Sequence, residues 1–237
     1  MMNQKKFVHV DKKWHLEPLE HILINNTRWY LSPVGEIPSV TTVTGWRKTR
    51  FFAEWRSKNP DESKRVLRRG NILHSTIEDY LNNEDIDLSA IPPNEAGLFV
   101  QMKKELDKID NIHEVEASLW SETAALAGRV DCVAEYNGRL SVIDFKGSTR
   151  KKHKKDIGNY FMQATAYAIA WQERTDIPVD NFAIIISTEN DGVQVFEDNP
   201  INHTKVLLET IEDYHAKLES QNKAIENYLS KDVAIQG

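Results

Sequence analysis

Gly128-Arg-Val-Asp131-Cys-Val-Ala-Glu-Tyr-Asn137-Gly138-Arg-Leu-Ser-Val-Ile-Asp144-Phe-Lys146 decides the fold. Two period-2 runs flank Asn137-Gly138, and Asn-Gly between such runs is the strongest short-range signal of a two-residue type I′ hairpin. With that loop, Tyr136 faces Arg139, Val133 faces Val142 and Asp131 faces Asp144. Lys146 lies two positions beyond Asp144 and shares its face. The other face, Val130, Cys132, Ala134, Ile143 and Phe145, is apolar and is expected to pack on the core. Directly opposed side chains have Cβ atoms about 4.5–5.5 Å apart, and like charges there are destabilising. Two opposed aspartates therefore need compensation. A hard divalent cation supplies it, because Mg2+ takes oxygen ligands, commonly one or two carboxylates plus a substrate phosphate. Lys146 beside such a cation would position a water or neutralise charge on a phosphoryl transition state. The bland alternative makes Asp131 a solvated strand end and pairs Asp144 with Lys146 or Arg129 in a surface salt bridge.

Outward from the hairpin, the periodicities alternate. Upstream, 116–120 reads as a strand, and helices are expected at about 95–109, at 64–81 (Val66, Leu67, Leu73, Ile77, Leu81) and at 49–58. Gly70 marks either a helix boundary or a close backbone approach, and 82–94, ending in Pro92-Pro93, reads as a loop. Residues 1–45 read as strands and turns: 22–24, 28–31 after an Asn25-Asn26 turn, and 38–44. Downstream, a helix over 157–173 carries Tyr160, Ala164, Tyr167, Ala168 and Trp171 inward, strands follow at 182–187 and 193–196, and a polar helix closes the chain at 201–229. This order points to a mixed α/β domain, with residues 1–60 packing on a core of 61–237. His74 stands on a helix with Glu78 one turn away, and Gln163 and Tyr167 are likewise four apart.

The 237 residues suit one large domain. The single cysteine, Cys132, excludes a disulfide framework, a cysteine zinc finger and a cysteine-ligated iron–sulfur cluster. No apolar run approaches the ~20 residues of a membrane span, and no secretory signal is visible at the N-terminus. The net charge of −6 conceals three basic clusters: Arg47-Lys48-Thr49-Arg50, residues 64–69 and residues 150–155. Phosphate contacts from such clusters give sequence-independent affinity. Phe51, Phe52 and Trp55 could stack bases, although core packing is their more ordinary role.

Taken together, Asp131, then Asp144-Phe145-Lys146, resembles the Asp…(Asp/Glu)-x-Lys signature of the PD-(D/E)XK, restriction-endonuclease-like nucleases. Gly70-x-x-x-His74 and Gln163-x-x-x-Tyr167 resemble its RecB-like branch. Pro38-Ser-Val-Thr-Thr-Val43, the helix with His74 and Glu78, and the hairpin itself are similar to the mitochondrial genome maintenance exonuclease family, over roughly 35–230. The resemblance implies a central mixed sheet with a catalytic hairpin flanked by helices. It implies Mg2+ or Mn2+ held by His74, Asp131, Asp144 and the Phe145 carbonyl, with Glu116 reaching the metal through water. It makes Lys146, Asp131 and Asp144 catalytic, Gln163 and Tyr167 active-site or DNA-positioning residues, and Thr41 and Thr42 phosphate contacts; Arg150, Lys151 and Lys152, in the basic run directly after the catalytic strand, are placed to lie along the backbone entering the site. The implied activity is exonucleolytic cleavage of single-stranded DNA ends or flaps in replication, recombination or repair. A polymerase, helicase or single-strand-binding protein would be the partner, since no helicase motif occurs. With no targeting segment visible, a bacterial or phage-infected cytoplasm is the expected setting. The rivals are a structure-specific endonuclease, a non-catalytic DNA-binding subunit and a small-molecule phosphohydrolase.

Overall fold

A computed structural model describes residues 5–25 and 27–235, with side chains to residue 223. Asn137 (φ 52) and Gly138 (φ 76) both take positive φ, as a type I′ turn demands. They join β5 (Leu126–Tyr136) to β6 (Arg139–Ser148), with Tyr136 opposite Arg139 and Val133 opposite Val142 as the sequence predicts. The ladder ends at Cys132 opposite Ile143. Beyond it the Asp131 carboxylate, not its backbone, accepts the Phe145 N–H, at 2.8 Å.

The hairpin sits in a five-stranded sheet ordered β4-β5-β6-β7-β8, with β4 at Ile109–Ser121, β7 at Asn181–Thr188 and β8 at Gly192–Asp198. Only β6 and β7 are parallel. A parallel pair needs a crossover, and α5 (Gly158–Thr175) supplies it. On one face of the sheet, α5, α1 (Val40–Gly45) and α6 (Ile201–Ile235) cover a core that includes Val130, Val133, Val142, Tyr167 and Trp171. On the other, α3 (Pro60–Leu81) and α4 (Pro93–Leu106) cover Cys132, Ala134, Ile143 and Phe145. Three layers result, a mixed α/β architecture of the expected kind. A meander of β1 (His21–Ile24), β2 (Thr27–Ser32) and β3 (Gly35–Pro38) packs on β5 through Tyr30, Ile37 and Ala127. The Asn25-Asn26 turn is described only at Asn25 (φ 51), Asn26 lying outside the described residues.

Several expectations are corrected. Val130 joins the α5 side of the core, opposite Cys132, because the 116/131 rung is missing and Glu116 takes φ 51, which breaks the alternation. Asn111 (φ 44) likewise interrupts the upstream half of β4, so a thirteen-residue strand reads as five in the sequence. Residues 40–45 are helical, not extended. Ser39 caps α1 by accepting the Thr42 N–H at 3.1 Å, and burial of Val40 and Val43 overrides the poor helix propensity of Val and Thr. Pro60 opens α3 at its first turn, followed by Asp61 and Glu62, four residues before the expected start. Leu67 is 66% exposed and leaves the apolar stripe. Phe51 and Phe52 are also exposed, because α2 (Thr49–Lys58) buries no residue, so they are not core. Gly70 is neither boundary nor close approach: it lies inside α3 with open space where a Cβ would point.

Candidate active site

The missing rung between β4 and β5 is where the site forms. Glu116 holds a left-handed backbone, a conformation that costs a non-glycine residue ~1–3 kcal/mol and clusters at functional sites. Its Oε1 lies 3.7 Å from His74 Nδ1 of α3, and Asp131 Oδ2 lies 3.6 Å from the same nitrogen. Both spans are too long for hydrogen bonds. One donor atom from each of His74, Glu116 and Asp131 falls within 4.8 Å of the others. Arg129 clamps the far oxygen of Glu116, Nε to Oε2, at 2.7 Å.

One step along β6, Asp144 is buried at 2% exposure. Lys146 Nζ donates to its Oδ1 at 2.6 Å, and its Oδ2 is buried with no hydrogen-bond partner among the described residues. This pair is interior, which excludes the surface salt bridge that the sequence left open; Arg129 serves Glu116 instead. A buried polar atom without a partner costs ~1–3 kcal/mol and asks for an explanation. The donor set provides one: an imidazole, hard carboxylate oxygens and an unsatisfied carboxylate oxygen fit a hard divalent cation.

Burial disfavours the imidazolium of His74, but Asp131 and Glu116 outweigh it and hold the pKa above its ordinary value. Burial raises the pKa of Asp144; Lys146 only partly offsets this, and Asp131 adds to it. Glu78, one turn below His74 in the same cleft, is raised by burial and then by Glu116. Burial also works against the Lys146 charge, yet Asp144 and Asp131 keep its proton bound well above the usual lysine range. Lys146 is thus an ammonium, suited to neutralising phosphoryl oxygens.

Gln163 and Tyr167 of α5 line this cleft, with Arg28, Thr41 and Ser75 on its other sides. Tyr167 is buried so close to β5 that a Cβ at Gly128 would lie 2.6 Å from its hydroxyl oxygen. Phe145 reaches the cluster through its N–H. Arg150, Lys151 and Lys152 line an adjoining pocket with Lys48, Phe52 and Tyr160. The Tyr160 ring joins the two, its centroid 5.4 Å from Lys146 Nζ. Thr42 does not face the cleft. Its hydroxyl accepts from Ser39, and it lines a groove toward α2 and α6. Sequence reasoning missed the roles of Arg129, Tyr160 and Gly128. For Gly128, a glycine inside a strand pattern is itself a signal of close approach.

Residues 48–235 match the family described as the PD-(D/E)XK nuclease superfamily. Among curated proteins, the chain is 28% identical over 217 residues to mitochondrial genome maintenance exonuclease 1 of Homo sapiens, covering 86% of this chain and 62% of that protein. The proteins of the same name from Mus musculus (29% over 149 residues; 56% and 44%) and Xenopus tropicalis (27% over 210; 80% and 60%) are also similar. The chain thus spans 44–62% of the length of these relatives. The match takes in α3 with His74, the hairpin with Asp131, Asp144 and Lys146, and α5 with Gln163 and Tyr167. This chain belongs to the PD-(D/E)XK nuclease superfamily.

Proposed function

We propose that the cleft is the active site of a divalent-metal-dependent deoxyribonuclease that hydrolyses phosphodiester bonds at single-stranded DNA ends or flaps. The observation that carries this reading is the His74, Glu116 and Asp131 cluster beside a buried Asp144–Lys146 pair whose outer oxygen is unsatisfied. His74, Glu116, Asp131, Asp144 and the Phe145 carbonyl would hold Mg2+ or Mn2+. Once bound, such an ion lowers the pKa of a coordinated water and polarises the phosphoryl oxygen.

The chain's own groups do the rest. Asp131 fixes β6 by accepting the Phe145 N–H, which holds Lys146 in the cleft wall with Asp144 buried behind it. Lys146 keeps its proton, neutralises charge gathering on the phosphoryl oxygens and orients the attacking water. Arg129 holds Glu116 against His74. Gln163 and Tyr167 wall the cleft and set where a nucleotide sits, while Arg150, Lys151 and Lys152 contact the backbone entering it. The exonuclease in the names of the similar proteins supports action at ends over internal cutting. Replication, recombination or repair would be the setting, with a helicase or polymerase exposing the strand.

Digestion of one single-stranded DNA as linear and as covalently closed circle, with Mg2+, tests this. Loss of the linear form alone is the expected result. Cleavage of the circle would replace the reading with an endonuclease, and no cleavage with either Mg2+ or Mn2+ would leave a DNA-binding subunit.

A further inference from the structure

The cleft is poorly built to attract the molecule it would cut. Glu78, Glu116 and Asp131 line it, with Asp144 buried behind them, and they offset the Arg28, Arg129 and Lys146 charges on the same walls, so its field offers a phosphate no net attraction until a cation is present. Affinity has to come from elsewhere.

An open groove of about 970 Å3 lies between the N-terminal meander, α1, α2 and α6. Among its described lining residues there is no aspartate or glutamate, in a chain whose net charge is −6. Three cations line it: Lys48, Arg56 and Lys217. Lys48 Nζ donates to two neutral acceptors, the Asp156 carbonyl at 2.9 Å and Asn159 Oδ1 at 2.8 Å, so its charge is not cancelled. Lys217 Nζ sits 5.0 Å from the centre of the Trp46 ring, and Arg56 makes no ion pair among the described residues.

Aromatic surface accompanies the charge. Phe52 is 44% exposed in the groove wall, and its edge-to-face neighbour Phe51, 5.4 Å away between ring centres, is 64% exposed. The groove is continuous with the sites already described. Thr41 lines both it and the cleft, and Lys48, Phe52 and Asn159 line both it and the basic pocket. Cations plus exposed rings, without acids and without a base-reading element, are the ingredients of sequence-tolerant single-strand binding, in which bases stack and phosphates meet lysines.

We infer that this groove is a second contact segment for the substrate strand, holding nucleotides away from the scissile bond and supplying the affinity that the acidic cleft lacks. The inference rests on the nucleic-acid reading of the cleft, but its test does not need turnover. Binding of fluorescent oligothymidylate is measured by anisotropy in EDTA, where no cation bridges the cleft acids to phosphate. The expected result is that Phe52→Ala and Lys217→Glu each weaken binding about tenfold, roughly one lost base stack or phosphate contact. Lys217→Glu also lowers the salt slope by about 0.7.

Lys104→Glu, an exposed lysine of α4 on the opposite face of the sheet, makes the same charge change and is expected to alter affinity less than twofold. Thermal melting shows that each variant is folded; an unfolded Phe52→Ala is replaced by Phe52→Ser, and Lys217→Glu by Lys217→Gln. Parent-like affinity in both groove variants overturns the inference, as does an equal loss in Lys104→Glu. So does displacement of the strand by an acidic peptide as readily as by unlabelled DNA, since the groove would then be a peptide site. If groove binding persists while Mg2+ elicits no cleavage, the nuclease reading fails and the groove assignment stands.

Discussion

Two ionic clusters tie α3 to the far end of β6, and they are built on opposite terms. In the first, Glu189 accepts from Arg65 at 2.6 Å and from Arg69 at 2.5 Å, while Arg69 also reaches the Gly147 carbonyl and Thr149. Burial would raise Glu189, but the two guanidinium groups overcome it and hold its carboxyl below the usual range. One donor, Arg69 Nε, is left over. In the second cluster, a turn along the same helix, acids outnumber their partners. Asp144 and Glu78 are pushed up, and an Asp144 oxygen is stranded. The difference teaches how to tell a lock from a site. Charges that only hold a fold are balanced within it, whereas charges kept for a ligand are left in deficit until the ligand arrives.

The largest effect that tests this contrast is on rate. Lys146→Ala should lower single-turnover cleavage at least about a thousandfold, the scale of a lost charge-stabilising donor, while strand affinity stays within about twofold. Near-normal cleavage would make the Asp144–Lys146 pair structural, and the contrast would collapse.

Next comes stability, where the order of the clusters reverses. Glu189→Ala leaves Arg69, 3% exposed, without its carboxylate and should cost about 3 kcal/mol, read as a lowered denaturant midpoint. Glu116→Gly in the cleft should change stability by less than about 1 kcal/mol, because the strain relieved at φ 51 offsets the freedom glycine gains when unfolded. Its Mg2+ affinity, by calorimetry, should fall tenfold or more. Equal stability losses in the two variants would erase the distinction.

Part of this was legible in the sequence. Asn137-Gly138 fixes the hairpin register as far as Cys132 opposite Ile143, and just beyond it the Asp131 carboxylate, not a backbone pair with Asp144, meets β6 at the Phe145 N–H beside the Asp144–Lys146 pair. The helix that carries His74 is readable from its apolar periodicity at Leu73, Ile77 and Leu81, while His74 itself stands out only through the family resemblance. What escaped depends on backbone exceptions and long-range partners. Glu116 comes to lie beside His74 and Asp131 because a left-handed residue re-aims it, and no local pattern announces positive φ at a glutamate. Helix α1 hides in a β-branched run that only tertiary packing makes helical. The Arg69–Glu189 lock joins residues 120 apart, beyond any periodicity.

A smaller effect separates the clusters by pH. His74 is raised, so in metal-free protein it stabilises the fold fully below its unfolded value of about 6.5, and that contribution is lost as pH rises through its folded pKa. Glu189 is lowered, so its contribution is present above its unfolded value of about 4.3 and lost as pH falls through its folded pKa. A cation needs the neutral imidazole, so Mg2+ affinity should rise about tenfold across the His74 window. In His74→Gln that rise should vanish while the acid-side loss of stability remains. A rise that survives the substitution would assign the titration to another cleft group.

The smallest effect concerns Gly70, one turn before His74 on α3. Glycine in a helix interior costs roughly 0.5–1 kcal/mol relative to alanine, and a Cβ there meets nothing within 4 Å, so Gly70→Ala should raise the unfolding midpoint by that amount. The lock does not need Gly70, because Arg65 and Arg69 reach Glu189 through their own side chains. The open space above Gly70 lies on the His74 face of the helix, four residues apart, next to the cleft-lining Asn71. Gly70→Ala should therefore stabilise the free protein yet raise KM severalfold without altering kcat. If KM stays put while stability rises, the clearance at Gly70 serves no substrate, and the deficit that marks this end of α3 is confined to the charges themselves.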